Sequence, residues 1–275
     1  MQTSAKKQLE RFLAEDIQSG DITSKLLPRK KITANIISRE NGIVAGVSYA
    51  KEIFTSRKCK VTVHKKDGQV VTPNQKIMTI FGDTYDVLSC ERTALNLMSR
   101  MSGIATQTRT YVKKIRAASS KVGLYSTRKT APGLRIFDKD AVSIGGGHSY
   151  RMSLDQMVMI KDNHIAASDS LYNLVRRAKQ KHKKFEVEVE NLEDAITVAK
   201  EGASIIMLDN LPPGKIKEII KKLEQLRLRN KVKIEASGGI NHSNVVQYAK
   251  SGVDMISIGR LTSSVAGLDL SLEIN

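Results

Sequence analysis

A chain of 275 residues, 40% hydrophobic and 27% charged, has the length and composition of one large globular domain, or of a barrel with a smaller companion. No run approaches the roughly 18 apolar residues needed to cross a bilayer, and the start, MQTSAKKQLERFLAED, lacks the apolar core of a signal peptide. The only cysteines, Cys59 and Cys90, lie far apart and in no CxxC pattern, which speaks against a structural zinc and for a reducing, cytoplasmic setting. The net charge of +17, from 45 basic and 28 acidic residues, allows nucleic-acid binding or a lysine-rich solvated surface. With 4% aromatic residues, no tryptophan and no nucleic-acid motif, the solvated surface is the expectation, with neither nucleic acid nor membrane as partner.

The N-terminus reads as an amphipathic helix with Leu9, Phe12 and Leu13 on one face. Strands are expected at 32–38, 43–46, 60–64, 69–71 and 77–81, with Asp67-Gly68, Pro73-Asn74 and Gly82-Asp83 as turns. The segment 86–117 reads as one long helix or two short ones. Leu95, Met98 and Ile104 are its apolar positions, and Gly103 is a break or a close-packing point.

From about residue 120 a unit repeats: an apolar run, a polar loop, a helix-period segment. The runs are 122–126, 157–160, 185–189, 204–208, 232–236 and 253–258, with helices near 168–182, 191–201, 213–228 and 242–251. Pro212-Pro213 and Asn241 mark two helix starts, and Gly202 and Gly252 end two others just before strands. Strands alternating with helices imply parallel pairing. The regular spacing favours a closed barrel, although it leaves an open sheet possible. The expected domains are a small, mostly antiparallel α/β domain over 1–110 and a barrel over 111–275, the C-terminal tail being free to return to the first.

In a parallel barrel the chemistry sits where the strands end. Those ends carry Arg128 and Lys129, then Lys161, Glu188, Asp209, Ser237-Gly238-Gly239 and Gly259-Arg260. The run FEVEVE alternates, so Glu186, Glu188 and Glu190 share a face; if the valines pack under helices, the glutamates point into the barrel and need cationic or metal partners. Glycines at the last two strand ends let backbone N–H groups approach phosphate oxygens. The run Gly145–Gly147, ahead of Arg151, is a flexible loop or a second place of close approach to an anion. His148 and His164 show no metal-ligand spacing, and His164 is expected to hydrogen-bond near Lys161. Ser126 and Ser237 lack a suitably placed histidine for nucleophilic catalysis.

At these residues the chain resembles the quinolinate phosphoribosyltransferase family. The resemblance runs nearly end to end, through AEDIQSGDITS, ERTALNLMSRMSGIAT, STRKTAPGLR, KDAVSIGGG, IKDNH, EVEVENLEDA, IMLDN, EASGGI and LDLSLEI. It implies a small N-terminal α/β domain of open-sandwich type beside an incomplete TIM-like α/β barrel. It also implies a homodimer or hexamer in which Arg92 reaches the neighbouring subunit's site. The implied reaction joins quinolinate to phosphoribosyl pyrophosphate with Mg2+, giving nicotinate mononucleotide, pyrophosphate and carbon dioxide. By resemblance Arg92, Arg128, Lys129, Tyr150, Arg151 and Lys161 bind quinolinate. Lys129, Lys161, Glu188, Asp209, Ser237, Gly238, Gly239, Gly259 and Arg260 bind the co-substrate. Lys129, Lys161, Glu188 and Asp209 are the catalytic positions, Glu188 and Asp209 also holding the metal directly or through water.

Three positions depart from the family pattern: Tyr150 stands for a histidine, Ser263 for another, and Arg260 is added. Three other readings stand beside this one. They are a same-fold transferase acting on nicotinate, a paralogue that binds an anion without turnover, and a nucleic-acid binder.

Overall fold

The computed structural model describes residues 3–274. The described residues form two compact units, one of residues 3–109, 130–146 and 260–274, the other of residues 110–129 and 147–259.

The first unit holds helices α1 (Thr3–Ile17) and α2 (Val47–Ser56), most of α3 (Thr84–Ala118), and α4 (Arg135–Gly145). Its strands are β1 (Lys31–Ser38), β2 (Gly42–Ile43), β3 (Lys60–Val63), β4 (Val70–Val71), β5 (Lys76–Asp83) and, after the six of the second unit, β12 (Leu270–Ile274). The main sheet is antiparallel in the order β12-β1-β5-β3, with Ile36 opposite Leu272 on one side and Met78 on the other. As the periodicity predicts, α1 buries Leu9 and Leu13, and Phe12 packs against Phe137 of α4 with ring centroids 5.6 Å apart. The segment 86–117 is one helix. Gly103 is its close-packing point, because a Cβ there would run into the carbonyl of Ala266. Cys59 and Cys90 are free and buried.

The second unit is a parallel sheet of β6 (Gly123–Tyr125), β7 (Val158–Ile160), β8 (Phe185–Val189), β9 (Ile205–Asp209), β10 (Lys233–Ser237) and β11 (Met255–Ser257), in the order β6-β11-β10-β9-β8-β7. Its helices are α5 (Asp162–Ala166), α6 (Leu171–Lys181), α7 (Leu192–Lys200), α8 (Pro213–Gln225) and α9 (Val245–Ala249); α10 (Arg260–Ser263) opens the return to the first unit. Among the described residues β6 and β7 do not pair with each other. Beyond β6 there is only a single bridge, Tyr125 to His148, so the barrel is incomplete.

Local chemistry sets the helix ends. Asn191 caps α7 by accepting from the Asp194 N–H at 2.8 Å, and Glu193 and Asp194 complement the dipole in its first turn. Pro213 opens α8, where a missing N–H costs nothing. Gly202 and Gly252 take the left-handed φ values of 89° and 94° expected of them. Asn241 does not itself start a helix: α9 begins at Val245, and Asn241 instead organises the preceding turn, accepting from the Ser243 N–H at 2.9 Å. Among the described residues no helix is long and apolar enough to cross a membrane.

Candidate active site

The parallel register puts every second residue of the strands on one face. Glu186 pairs with Ile205, Glu188 with Met207, Glu235 with Met207 and Ser237 with Asp209, so Glu186, Glu188, Asp209, Glu235 and Ser237 all project from the same side of the sheet. The opposite side is apolar: Val187, Ile206, Leu208, Ile234 and Ala236 are fully buried. The alternation in FEVEV therefore has the predicted cause, and Glu186 and Glu188 are both buried. Glu190 is different. Strand β8 ends at Val189, so Glu190 falls outside the pleat and is exposed.

Glu188 forms an ion pair with Lys161, which directly follows β7. His164 accepts the Lys161 backbone N–H on Nδ1 at 3.0 Å, fixing the turn that presents the lysine, as expected of it. The Tyr150 hydroxyl donates to Glu186 Oε2 at 2.8 Å, while Glu186 Oε1 has no hydrogen-bond partner. The Tyr150 ring meets Tyr125 edge-on at 5.4 Å, and Tyr125 in turn stacks on His148 at 4.6 Å. Burial, above all, pushes Glu186 up to about 7, against the Tyr150 hydrogen bond and the charges of Lys161 and Arg151. Burial and then the Glu186 charge push the Tyr150 phenol well above its usual range, so it stays protonated.

Glu235 is a site residue that the sequence reading missed. It is 1% exposed, and burial followed by the Glu186 charge raises it to about 8, against a hydrogen bond with Ser257. The signal was present in VKIEA, where a glutamate alternates with Ile234 and Ala236 as in β8.

The cations gather at the strand ends. Arg128 and Lys129 follow β6, and Arg128 lies near enough to Arg151 to lower the Arg151 pKa, second to the loss of solvent there. Arg128 Nε is buried with no hydrogen-bond partner.

Glycines line the last strand ends. Gly238 has φ 83°, and any Cβ would collide with Asn210. Gly239 has φ 62° with nothing within 4 Å of a Cβ position. A Cβ at Gly259 would lie 2.8 Å from Lys129 Cδ. Asp209 accepts from Asn210 Nδ2 at 2.6 Å. By contrast, Gly145 and Gly146 have structural duties. Gly145 packs within α4 where a Cβ would lie 2.7 Å from the Ala105 carbonyl oxygen, and Gly146, at φ 95°, terminates the helix. Ser126 Oγ is spent on the carbonyls of His148 and Ser149.

Arg92 and Arg260 belong to the first unit. The Arg92 side chain is 66% exposed on α3, 3.9 Å from Glu91, and Arg260 is exposed at the start of α10. Among the described residues no group of three or more His, Cys, Asp or Glu comes together as a metal site. Glu188 and Asp209 remain as a pair of strand-end carboxylates. That donor set suits Mg2+, which takes one or two carboxylates and completes its octahedron with phosphates and water.

Fold and site together define the class, an α/β-barrel enzyme for phosphorylated, multiply anionic substrates. Comparison with known proteins then makes the assignment particular: the chain belongs to the quinolinate phosphoribosyltransferase family. The family's N-terminal domain model matches residues 21–102 and its C-terminal domain model residues 104–273. A protein of Methanothermobacter thermautotrophicus named "probable nicotinate-nucleotide pyrophosphorylase (carboxylating)" is 42% identical, over 97% of each chain. One of the same name from Archaeoglobus fulgidus is 43% identical, over 93% of this chain and 98% of its own. The crystal structure of nicotinate-nucleotide pyrophosphorylase from Ehrlichia chaffeensis superposes with a TM-score of 0.93 at 35% identity, covering 100% of this chain and 99% of that one.

Proposed function

We propose that this chain joins quinolinate to phosphoribosyl pyrophosphate, releasing pyrophosphate and carbon dioxide and leaving nicotinate mononucleotide for the synthesis of NAD. The observation that carries the substrate choice is the number of cations where the strands end, Arg128 and Lys129 after β6 and Lys161 after β7, with Arg151 on the loop before β7. Two adjacent carboxylates make fuller use of such a set than the single carboxylate of nicotinate.

Each group has a role in the reaction. Arg128, Arg151 and Lys161 orient quinolinate so that its ring nitrogen faces the anomeric carbon of the ribose. Lys129 and Lys161 offset charge on the departing pyrophosphate. Ser237, Gly238, Gly239 and Gly259 receive the ribose 5′-phosphate on backbone N–H groups, and Arg260 adds charge beside it. As the C–O bond to pyrophosphate breaks, positive charge grows on the ribose, and Glu188 and Asp209 stabilise it. Mg2+ on these two carboxylates, held directly or through water, would neutralise the pyrophosphate oxygens. With the ring nitrogen alkylated, its positive charge stabilises the carbanion left when the adjacent carboxylate departs as carbon dioxide, and a proton then completes the product. The pyridinium itself is the electron sink. The assembly that fits is a homodimer or hexamer in which Arg92, exposed on its own subunit, serves the site of the next.

Calorimetric titration tests the substrate assignment. Quinolinate is expected to bind roughly tenfold or more tighter than nicotinate, the worth of one charge-assisted contact. Arg151→Met is expected to abolish that preference. Equal affinity for the two ligands would overturn the dicarboxylate reading.

A further inference from the structure

We propose that Asn244 is a positioning residue, whose side-chain amide fixes the Gly239–Ile240 peptide so that its N–H is presented to the ribose 5′-phosphate. This deepens the functional reading above and rests on it.

A trans peptide unit is planar, so its carbonyl and its N–H point in opposite directions, and whatever holds the one aims the other. After β10 the chain holds two peptides by their carbonyls. The Ser237 carbonyl accepts from the Asn210 N–H at 2.9 Å, so the backbone after β9 sets the first. The Gly239 carbonyl accepts from Asn244 Nδ2 at 3.1 Å, so a side chain sets the second. Asn241 Nδ2 stands 3.5 Å from the same oxygen, at the limit of a hydrogen bond. Asn244 is itself held, because its Oδ1 accepts from the Asn241 N–H at 2.8 Å.

The N–H aimed by this arrangement is that of Ile240. This residue is 4% exposed, and among the described residues its N–H meets no acceptor. Buried backbone donors are rarely left so, and a phosphate oxygen is an acceptor of the right charge. Gly239 makes the anchor necessary. At φ 62°, with nothing within 4 Å of a Cβ position, it leaves the peptide room to turn over. Turned over, the same peptide would present its carbonyl oxygen to the phosphate and repel it. The rest of the loop is fastened to the last turns of α3, which belong to the second unit. His242 stacks on Tyr111 with ring centroids 3.8 Å apart, and its carbonyl accepts from Lys114 Nζ at 2.9 Å. Those contacts hold the loop in place and leave the direction of the Gly239–Ile240 peptide to Asn244.

The test uses the full chain as wild type, Asn244→Ala, Asn244→Ser and Lys114→Met. Calorimetry measures ribose 5-phosphate, which carries the phosphate in question, and pyrophosphate, which the substrate bears at the other end of the ribose. A steady-state assay gives KM for both substrates. Asn244→Ala is expected to weaken ribose 5-phosphate, and to raise KM for phosphoribosyl pyrophosphate, roughly tenfold, the worth of one hydrogen bond to a charged group. Pyrophosphate affinity and KM for quinolinate are expected to stay within about twofold. Asn244→Ser keeps a short acceptor beside the Asn241 N–H but has no amide for the Gly239 carbonyl; it stands in if the alanine variant does not fold, and the same change is expected. Lys114→Met loosens the same loop without touching the Gly239 carbonyl, and its ribose 5-phosphate affinity is expected within about twofold of wild type. Unchanged ribose 5-phosphate affinity in a folded Asn244 variant, or equal weakening of every ligand, would overturn the proposal. The same loss in Lys114→Met would also overturn it, since loop rigidity and not the aim of one peptide would then be at work. Wild-type protein that neither binds ribose 5-phosphate nor consumes phosphoribosyl pyrophosphate would instead bring down the functional reading, and this proposal with it.

Discussion

Glu235 lies on the same sheet face as Glu186, with only β9 between their strands, and both are buried. Its folded pKa of about 8 lies above the ordinary carboxylate value of 4.5, so the folded chain holds a proton that the unfolded chain releases. Stability therefore falls as pH rises from the unfolded value through about 8, and the loss is complete above that. Glu235→Gln removes this dependence. The variant is expected to show a flatter Tm between pH 6 and 9 than wild type, and a higher Tm at pH 9; parallel curves would contradict the assignment. At the strand ends, Lys161→Met removes the partner of Glu188 and a cation proposed to meet both substrates, and kcat/KM is expected to fall roughly 100- to 1,000-fold in a folded protein. Asp209 was legible in the sequence because it closes an apolar run, and the shared face of Glu186 and Glu188 because FEVEV alternates. The exposure of Glu190 depended on where the ladder stops, and the Tyr150–Glu186 bond on a pairing of residues 36 apart. Neither is carried by local spacing.

At the scale of elements, the long helix α3 is fastened by an ion pair that no periodicity announces. Arg100 donates from Nε to Asp138 Oδ1 at 2.7 Å and from Nη2 to Oδ2 at 2.9 Å, and Nη2 also reaches the Thr262 carbonyl at 3.0 Å. One guanidinium thus ties α3 to α4 and α10. Asp138 is fully buried, so Asp138→Ala leaves an uncompensated cation and is expected to cost about 3–5 kcal/mol in denaturant unfolding. Gly103→Ala, forced against the Ala266 carbonyl, is expected to cost about 1–3 kcal/mol by the same measurement. The sequence left α3 open between one helix and two, because a glycine in a helical run signals either a break or a contact. The neighbour that decides between them comes from far along the chain. The helices between the barrel strands were legible because their caps and prolines act locally, as at Asn191 and Pro213. The start of α9 was read three residues early because the turn at Asn241 uses the same residue types as a cap.

At the scale of the whole molecule, the first unit is assembled from three stretches of chain. Strand β12 pairs with β1 from Ala34–Ile274 to Ser38–Leu270, and Leu268 is buried in the same core as Ile36 and Met101. Truncation after Ser264 would bare the β1 edge and remove Leu268. The shortened chain is expected to unfold at lower temperature and to aggregate, as read by light scattering, because an unpaired hydrophobic edge recruits other chains. The alternation of strands and helices made the parallel architecture legible. The open seam between β6 and β7 was implied by the family resemblance alone, since spacing along a chain does not reveal which strands pair: the last, β11, reaches the first, while the first two stay apart.

Carboxylating phosphoribosyl transfer has one direct chemical sign, the release of carbon dioxide. Wild-type protein is given Mg2+, phosphoribosyl pyrophosphate and quinolinate labelled in the carboxylate next to the ring nitrogen. Labelled carbon dioxide is expected to appear one for one with pyrophosphate and nicotinate mononucleotide, and nicotinate in place of quinolinate is expected to give little product. Folded protein that yields no carbon dioxide from quinolinate, or that makes the mononucleotide only from nicotinate, would rule out carboxylating transfer by this chain.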